Sequence, residues 1–136
     1  MNEHNILGAI LAGGQSKRMG EDKLFLELNN RKLIEYTIDK VNKYLKKVII
    51  ITNQDNEFFS KNNLTTVKDC IGGQLGPLVG ILTAMKWAKE NLINCSWIAT
   101  FPCDTPFFPE NIIEIFIEES KKKESLIFCA NSHGRR

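Results

Sequence analysis

The sequence predicts a single α/β domain over residues 1–136, with a doubly wound, mostly parallel sheet and helices on both of its faces. Apolar strands and amphipathic helices alternate along the chain, and parallel neighbours need such helical crossovers. A chain of 136 residues is long enough for one core and too short for two. The 43% hydrophobic and 25% charged residues are typical of a globular domain.

The first half of the chain predicts three strands and two helices. Residues 6–11 are almost entirely apolar and are followed by Gly13-Gly14, which is typical of a buried strand that ends in a tight loop. Residues 48–51 are a β-branched run, and residues 65–68 form a weaker strand pattern that ends at Asp69. Residues 55–60 suit a short helix. Apolar residues four, three and four apart predict a longer helix before them: Ile34, Ile38, Val41 and Leu45.

The second half predicts two more helices and two more strands. Pro77 suits a first helical turn, where its missing N–H costs nothing. Steps of three and four residues then continue the helix through Leu78, Ile81, Leu82, Met85, Ala88 and Leu92. Residues 97–101 form a fourth strand pattern, Pro109-Glu110 opens a further helix, and residues 126–129 suggest a fifth strand.

Several classes of protein are excluded by composition. No run of about 18 apolar residues predicts a membrane span. Residues 1–5 carry no cationic segment of a signal peptide, so we expect a cytoplasmic protein. The net charge is only +2, and the one long basic run, at residues 121–123, has no aromatic residues interleaved with it. Nucleic acid is therefore not an expected partner.

The ends of the predicted strands carry residues that suit a binding site. Gly13-Gly14 follows the first strand, Asn53 the second, Asp69 the third and Asp104 the fourth. Each one alone is an ordinary turn or cap residue. Together they are expected to line one crevice, because ligands of such sheets bind at the carboxyl ends of the strands.

The loop of residues 11–23 predicts a site for a polyphosphate. Its two adjacent glycines let backbone N–H groups approach an anion, while Arg18 and Lys23 add positive charge. Neither G-x-x-x-x-G-K-[ST] nor G-x-G-x-x-G occurs, so this is not one of the two common phosphate loops.

Asp104 is the candidate ligand for Mg²⁺. It lies just after a predicted buried strand, between Pro102 and Pro106, which stiffen the loop. Magnesium takes oxygen ligands and commonly shares them with substrate phosphates and water. The alternative at this position is a carboxylate that only forms a turn.

Three segments in order resemble the nucleotidyltransferase family that includes molybdenum cofactor guanylyltransferase. They are the loop of residues 11–23, Gly-Pro-Leu-Val-Gly-Ile at residues 76–81 and Pro-Cys-Asp-Thr-Pro at residues 102–106. The resemblance implies a Rossmann-like nucleotidyltransferase fold and a Mg²⁺-dependent enzyme. With the glycine loop, it gives these nucleotide-binding candidates: Leu11, Ala12, Gly13, Gly14, Lys23, Asn53, Asp69 and Asp104. The candidate catalytic residues are Arg18, Lys23 and Asp104, and Asp104 is the metal ligand.

The resemblance also implies a reaction, in which GMP is transferred from GTP to molybdopterin and pyrophosphate leaves. GTP, the molybdenum cofactor and proteins that supply or accept that cofactor are the implied partners. Chains of the family normally continue beyond the equivalent of residues 131–136, so we expect this chain to be the nucleotide-binding part, shortened at its C-terminus. Two alternatives are a non-catalytic form that binds GTP or a partner, and a related enzyme that uses CTP or a sugar phosphate.

Overall fold

The computed structural model describes residues 5–12, 17–18, 21–22, 25–71, 76–92, 94–122 and 126–130, with 17–18 and 21–22 described by their backbone. The strands are β1 (Ile6–Leu11), β2 (Lys17–Arg18), β3 (Glu21–Asp22), β4 (Glu27–Leu28), β5 (Arg31–Lys32), β6 (Lys47–Ile51), β7 (Thr65–Val67) and β8 (Trp97–Pro102). The helices are α1 (Leu33–Tyr44), α2 (Glu57–Lys61), α3 (Pro77–Asn91) and α4 (Asn111–Lys122).

Four of these strands form a parallel sheet in the order β7-β6-β1-β8. In the centre of the sheet Gly8 of β1 lies opposite Val48 of β6 on one side and Ala99 of β8 on the other. Because every pairing in this sheet is parallel, all four strands end at the same edge. The predicted α/β class and parallel sheet are confirmed.

Helices cover both faces of the sheet, which confirms the doubly wound architecture. On one face, α1 contributes Ile34 and Val41, α2 contributes Phe59 and α4 contributes Ile113, all at most 3% exposed. On the other face, α3 packs Ala84 and Ala88 against the strands. The buried runs of β1 and β6 thus contact helices on both sides, which is why they are apolar throughout.

Helix α3 lies where the sequence predicts a helix, but several of its large apolar side chains do not face the sheet. Leu78 is 75% exposed and Met85 is 55% exposed. The buried residues are mostly smaller: Val79, Gly80, Thr83, Ala84 and Ala88. Small residues let the helix axis approach the strands closely, so the apolar spacing identified the helix without identifying its buried face.

Two short antiparallel pairs, β2–β3 and β4–β5, lie between β1 and α1. The turn of the second pair places both Asn29 and Asn30 at positive φ, 53° and 65°. This backbone is characteristic of a two-residue hairpin turn, and asparagine tolerates it better than most residues. The hairpin leads directly into α1, whose Glu35 carboxylate accepts a hydrogen bond from the backbone N–H of Lys32 at 2.7 Å.

The predicted fifth strand is wrong. Residues 126–130 form no strand, and Leu126 and Ile127 are 94% and 78% exposed. Only Phe128 is partly buried, where its ring packs on Trp97 with centroids 5.2 Å apart. An apolar run becomes a strand only when a neighbour pairs with its backbone, and local composition does not specify that pairing.

None of the described helices is both long enough and apolar enough to cross a lipid bilayer.

Candidate functional site

The carboxyl edge of the parallel sheet brings the predicted polar residues to one side of the molecule. In spatial order, Asp69 follows β7, Asn53 follows β6, Ala12 follows β1 and Asp104 follows β8. Neighbouring strands are about 4.8 Å apart, so the ends of the two outer strands are separated by about 14 Å. This distance favours separate roles for Asp69 and Asp104.

At the end of β1, the backbone pairing extends one residue beyond the strand. The N–H of Ala12 donates to the carbonyl oxygen of Ile51 at 2.8 Å. Leu11 contacts α3 at Gly80, where an added Cβ would lie 3.0 Å from Leu11 Cδ2. The nucleotide-binding candidates Leu11 and Ala12 are therefore held by the strand on one side and by the helix on the other.

Asn53 is presented by a turn at the end of β6. Thr52, only 1% exposed, donates its backbone N–H to Val67 O at 3.0 Å, while its Oγ1 accepts from the N–H of Gln54 at 3.1 Å. The hydroxyl thus turns the chain away from the sheet directly after the last paired residue. Asn53 lies at this turn, with an exposed side chain.

Asn53 and Asp69 form a closed pair across the ends of β6 and β7. The side-chain Nδ2 of Asn53 donates to Asp69 Oδ2 at 3.0 Å, and Asn53 Oδ1 accepts from the backbone N–H of Asp69 at 2.9 Å. Two bonds to one residue fix both the amide and the carboxylate. Among the described residues, nothing bonds to the second carboxylate oxygen, which can accept from an N–H or O–H group of a ligand.

A further residue that supports this pair was not singled out from the sequence. Thr83 of α3, 2% exposed, accepts a hydrogen bond at Oγ1 from the N–H of Cys70 at 2.9 Å and donates to Val79 O at 2.7 Å. It ties the residue after Asp69 to α3. The only sequence signal was a threonine within the apolar pattern of that helix.

Asp104 is exposed in the loop that follows β8. Pro106 of this loop is buried, and the ring of Phe108 stacks on Phe101 with centroids 5.6 Å apart. Lys40 of α1 donates to the carbonyl oxygens of Pro106 and Phe108. The loop is therefore anchored behind Asp104, while the carboxylate itself faces solvent.

The carboxylate oxygens at this edge suit a metal ion that is also bound by the substrate. Among the residues that the structure describes, no three His, Cys, Asp or Glu side chains are grouped closely enough to hold a metal. A complete protein cage is therefore absent from this part of the chain. Mg²⁺ commonly uses one or two carboxylates and completes its shell with water and phosphate oxygens, and the exposed Asp104 fits that mode.

The predicted residues of the glycine loop cannot be placed in this geometry. Gly13, Gly14 and Lys23 lie outside the described residues. Arg18 is described by its backbone, which pairs with Glu21 in the antiparallel pair β2–β3. The structure thus brings together Asn53 and Asp69, and it sets Asp104 at the far end of the same edge.

The parallel sheet, its strand order and the polar residues along its carboxyl edge define a Rossmann-like α/β protein of the nucleotidyltransferase class. The family model described as MobA-like NTP transferase domain matches residues 8–136. The chain belongs to this family.

Curated relatives agree with this assignment, and solved structures share the fold. The chain is 34% identical to a molybdenum cofactor guanylyltransferase of Mesorhizobium japonicum over 133 residues, 97% of this chain and 64% of the relative. Against Rv0371c from Mycobacterium tuberculosis H37Rv the TM-score is 0.67 at 16% identity, over 88% of this chain and 62% of that one.

A second solved structure is also similar at the level of the fold. It is the molybdopterin-guanine dinucleotide biosynthesis protein A from Archaeoglobus fulgidus, with a TM-score of 0.63 and 21% identity. The match covers 87% of this chain and 57% of that one. The chain thus spans about 64% of the length of the curated relatives it matches.

Proposed function

We propose that this protein transfers GMP from GTP to the molybdopterin form of the molybdenum cofactor, with release of pyrophosphate. The proposal rests on family membership and on relatives that are named for this activity. The structural observation that carries it is the Asn53–Asp69 pair, which holds one carboxylate oxygen ready to accept hydrogen bonds at the carboxyl edge of the sheet.

Each end of this edge has its own part in the proposed reaction. Asp69, held in place by Asn53, accepts donors of the nucleoside, either of the guanine base or of the ribose, since both present such groups. Lys23, Arg18 and the N–H groups of Gly13 and Gly14 hold the phosphates. Such chemistry relies on positioning and charge neutralisation more than on a protein nucleophile.

In this proposal Asp104 is the ligand for the metal ion. Mg²⁺ bound there would offset the negative charge that develops on the reacting phosphates. The molybdopterin phosphate attacks the α-phosphorus of GTP, a new P–O bond forms, and the bond to the leaving pyrophosphate breaks. The separation of Asp69 from Asp104 along the edge matches an extended nucleotide, with its nucleoside at β6 and β7 and its phosphates towards β8.

A competition assay tests the choice of nucleotide. A fluorescent GTP analogue bound to the chain in Mg²⁺ is displaced in turn by GTP, CTP, UTP and ATP. We expect GTP to displace it at the lowest concentration. Equal displacement by CTP would point instead to a cytidylyltransferase, the main alternative within the same fold.

Lys23→Ala tests the phosphate assignment, by GTP binding in the same assay and by turnover with both substrates. Removal of one electrostatic contact to a reacting phosphate commonly costs about 3 kcal/mol of transition-state stabilisation, or roughly 100-fold in rate. Lys17→Ala, in the same loop, is the matched control for loss of one positive charge. Lys23→Ala with binding and turnover within about threefold of the wild type would refute the assignment.

A further inference from the structure

Lys40 of α1 holds the loop that carries Asp104. Its ammonium donates to the carbonyl oxygen of Pro106 and, at 2.7 Å, to that of Phe108. The same group lies 4.7 Å from the centroid of the Phe108 ring. Asp104 precedes Pro106 by two residues in this loop. One side chain therefore contacts the loop at three points just beyond the proposed metal ligand.

A lysine suits this position better than a neutral residue. The ammonium has three donors, enough for both carbonyl oxygens at once. Charged donors form stronger hydrogen bonds than neutral donors, and a cation over an aromatic face gains further attraction. Lys40 is half-buried, so water competes with these contacts less than it does at an exposed lysine.

Two other contacts near the loop do not bond to these carbonyl oxygens. The stacking of Phe108 on Phe101, which is 3% exposed, fixes one ring but no backbone carbonyl. The nearby Lys43–Glu110 ion pair, 3.2 Å long, joins two well-exposed side chains, and such pairs contribute little. Lys40 therefore adds bonds to the backbone between Asp104 and Phe108 that these two contacts do not supply.

We propose that Lys40 is a positioning residue for Asp104. It fixes the loop after β8 so that the Asp104 carboxylate meets Mg²⁺ and the nucleotide phosphates with little further ordering. The inference rests on the proposed function, because it assigns Lys40 to the metal end of that site. Lys40 acts through the backbone of the loop, since its described bonds go to carbonyl oxygens and not to the carboxylate.

The test measures how much Mg²⁺ the intact chain needs to bind GTP. GTP affinity is determined by calorimetry without metal and across a Mg²⁺ titration, for the wild type, Lys40→Met, Lys40→Arg and Asp104→Asn. Lys43→Met is the matched control, because it removes a cation three residues along the same helix that also contacts this segment. Melting temperature and amide hydrogen exchange over residues 103–110 are recorded for each variant.

For Lys40→Met we expect the Mg²⁺ concentration for half-maximal GTP binding to rise by about 10-fold. This is the lower end of the loss in metal affinity that follows when a residue that orients a metal ligand is removed. GTP affinity without Mg²⁺ should not change, and exchange over residues 103–110 should accelerate. Lys40→Arg should show a smaller rise, because a guanidinium also donates to two carbonyls but differs in shape. Lys43→Met should match the wild type.

Two results overturn different parts of the account. If Asp104→Asn raises the Mg²⁺ requirement and Lys40→Met leaves it unchanged, the positioning role is wrong and the proposed function stands. If Mg²⁺ does not promote GTP binding to the wild type, the proposed function itself fails. Should Lys40→Met not fold, Lys40→Gln, which loses the charge, decides: an increased Mg²⁺ requirement supports the role, and a wild-type requirement overturns it.

Discussion

Asn53 and Asp69, sixteen residues apart in sequence, are joined by two hydrogen bonds of 3.0 and 2.9 Å where β6 and β7 end. The parallel register that pairs Ile51 with Val67 brings the two residues to the same level of the sheet. Both polar groups of the Asn53 amide bond to Asp69, and among the described residues nothing bonds to the second carboxylate oxygen of Asp69. We expect the pair to act as one unit in ligand binding.

Substitutions of Asn53 test this unit. Asn53→Ala removes both bonds, and we expect GTP affinity to fall by about 10-fold, the usual worth of a hydrogen bond to a charged group. Asn53→Asp should be worse, because it sets a second carboxylate against Asp69. Asn42→Ala, at an exposed position on α1, is the control and should bind as the wild type does. Wild-type affinity in Asn53→Asp would contradict the role of the pair.

Thr83 is expected to hold the Asn53–Asp69 pair in place through its bond to the backbone of Cys70. Thr83→Val keeps the shape but removes the acceptor of the Cys70 N–H, which costs about 1 kcal/mol of unfolding free energy, because Cys70 is exposed and its N–H can bond to water instead. Thr83→Ser keeps the hydroxyl and should stay closer to the wild type. Urea unfolding measures both variants. A serine variant that is less stable than the valine variant would show that packing, and not the hydrogen bond, is what matters here.

The close approach of α3 to β1 makes Gly80 sensitive to added volume. In Gly80→Ala the new Cβ would lie 3.0 Å from Leu11 Cδ2, and overpacking of this kind costs about 1–3 kcal/mol. The better helix propensity of alanine offsets about 1 kcal/mol of that cost. We expect a net loss of stability in thermal unfolding, together with weaker GTP binding, because Leu11 is itself a nucleotide-binding candidate.

A double-mutant cycle checks that this contact is the cause. Leu11→Val removes Cδ2, so Gly80→Ala should cost less in that background than in the wild type. Additive losses in the double variant would mean that Leu11 is not the group that clashes.

The packing of α1 near α4 gives a prediction for pH. Burial, followed by the nearby Glu114 and Glu110 carboxylates, raises the pKa of Tyr44 above its ordinary value of 10.0. The folded chain therefore holds this proton more tightly than the unfolded chain. The contribution to stability is complete below pH 10 and is lost as the pH rises from there towards the raised pKa.

An ultraviolet titration of the two tyrosines measures this shift. We expect Tyr44 to ionise above pH 10, because its pKa is raised, and Tyr44→Phe to abolish that late component. Ionisation of Tyr44 at or below pH 10 would contradict its burial and the nearness of the two carboxylates.

Strand and helix positions were largely predictable because the sheet is buried on both faces. Such strands are continuous apolar runs, as in Ile6–Leu11, and helices show their three- and four-residue spacing. The fifth strand failed because pairing with a neighbour is a property of the folded chain. The face of α3 was not predictable because large apolar residues such as Leu78 lie outside, while Gly80 and Ala84 pack inward.

The residues of the candidate site likewise divide into those that could be recognised from the sequence and those that could not. Asn53 and Asp69 were recognisable because each directly follows a strand pattern, and parallel strands end at a common edge. Lys40 and Thr83 were not recognisable, because each bonds to backbone groups far along the chain. The two partners of Lys40 are 66 and 68 residues away, and the partner of Thr83 is 13 residues away. A hydrogen bond to a distant carbonyl or N–H leaves no local pattern in the sequence.

The most direct measurement is product formation from GTP and molybdopterin. The chain is incubated with both substrates and Mg²⁺, and the dinucleotide and pyrophosphate are quantified by chromatography beside a GTP-binding titration. We expect the guanine dinucleotide and pyrophosphate in equal amounts, with both lost in Asp104→Asn. GTP binding without any dinucleotide would contradict the proposed transfer and favour a nucleotide-binding role without catalysis.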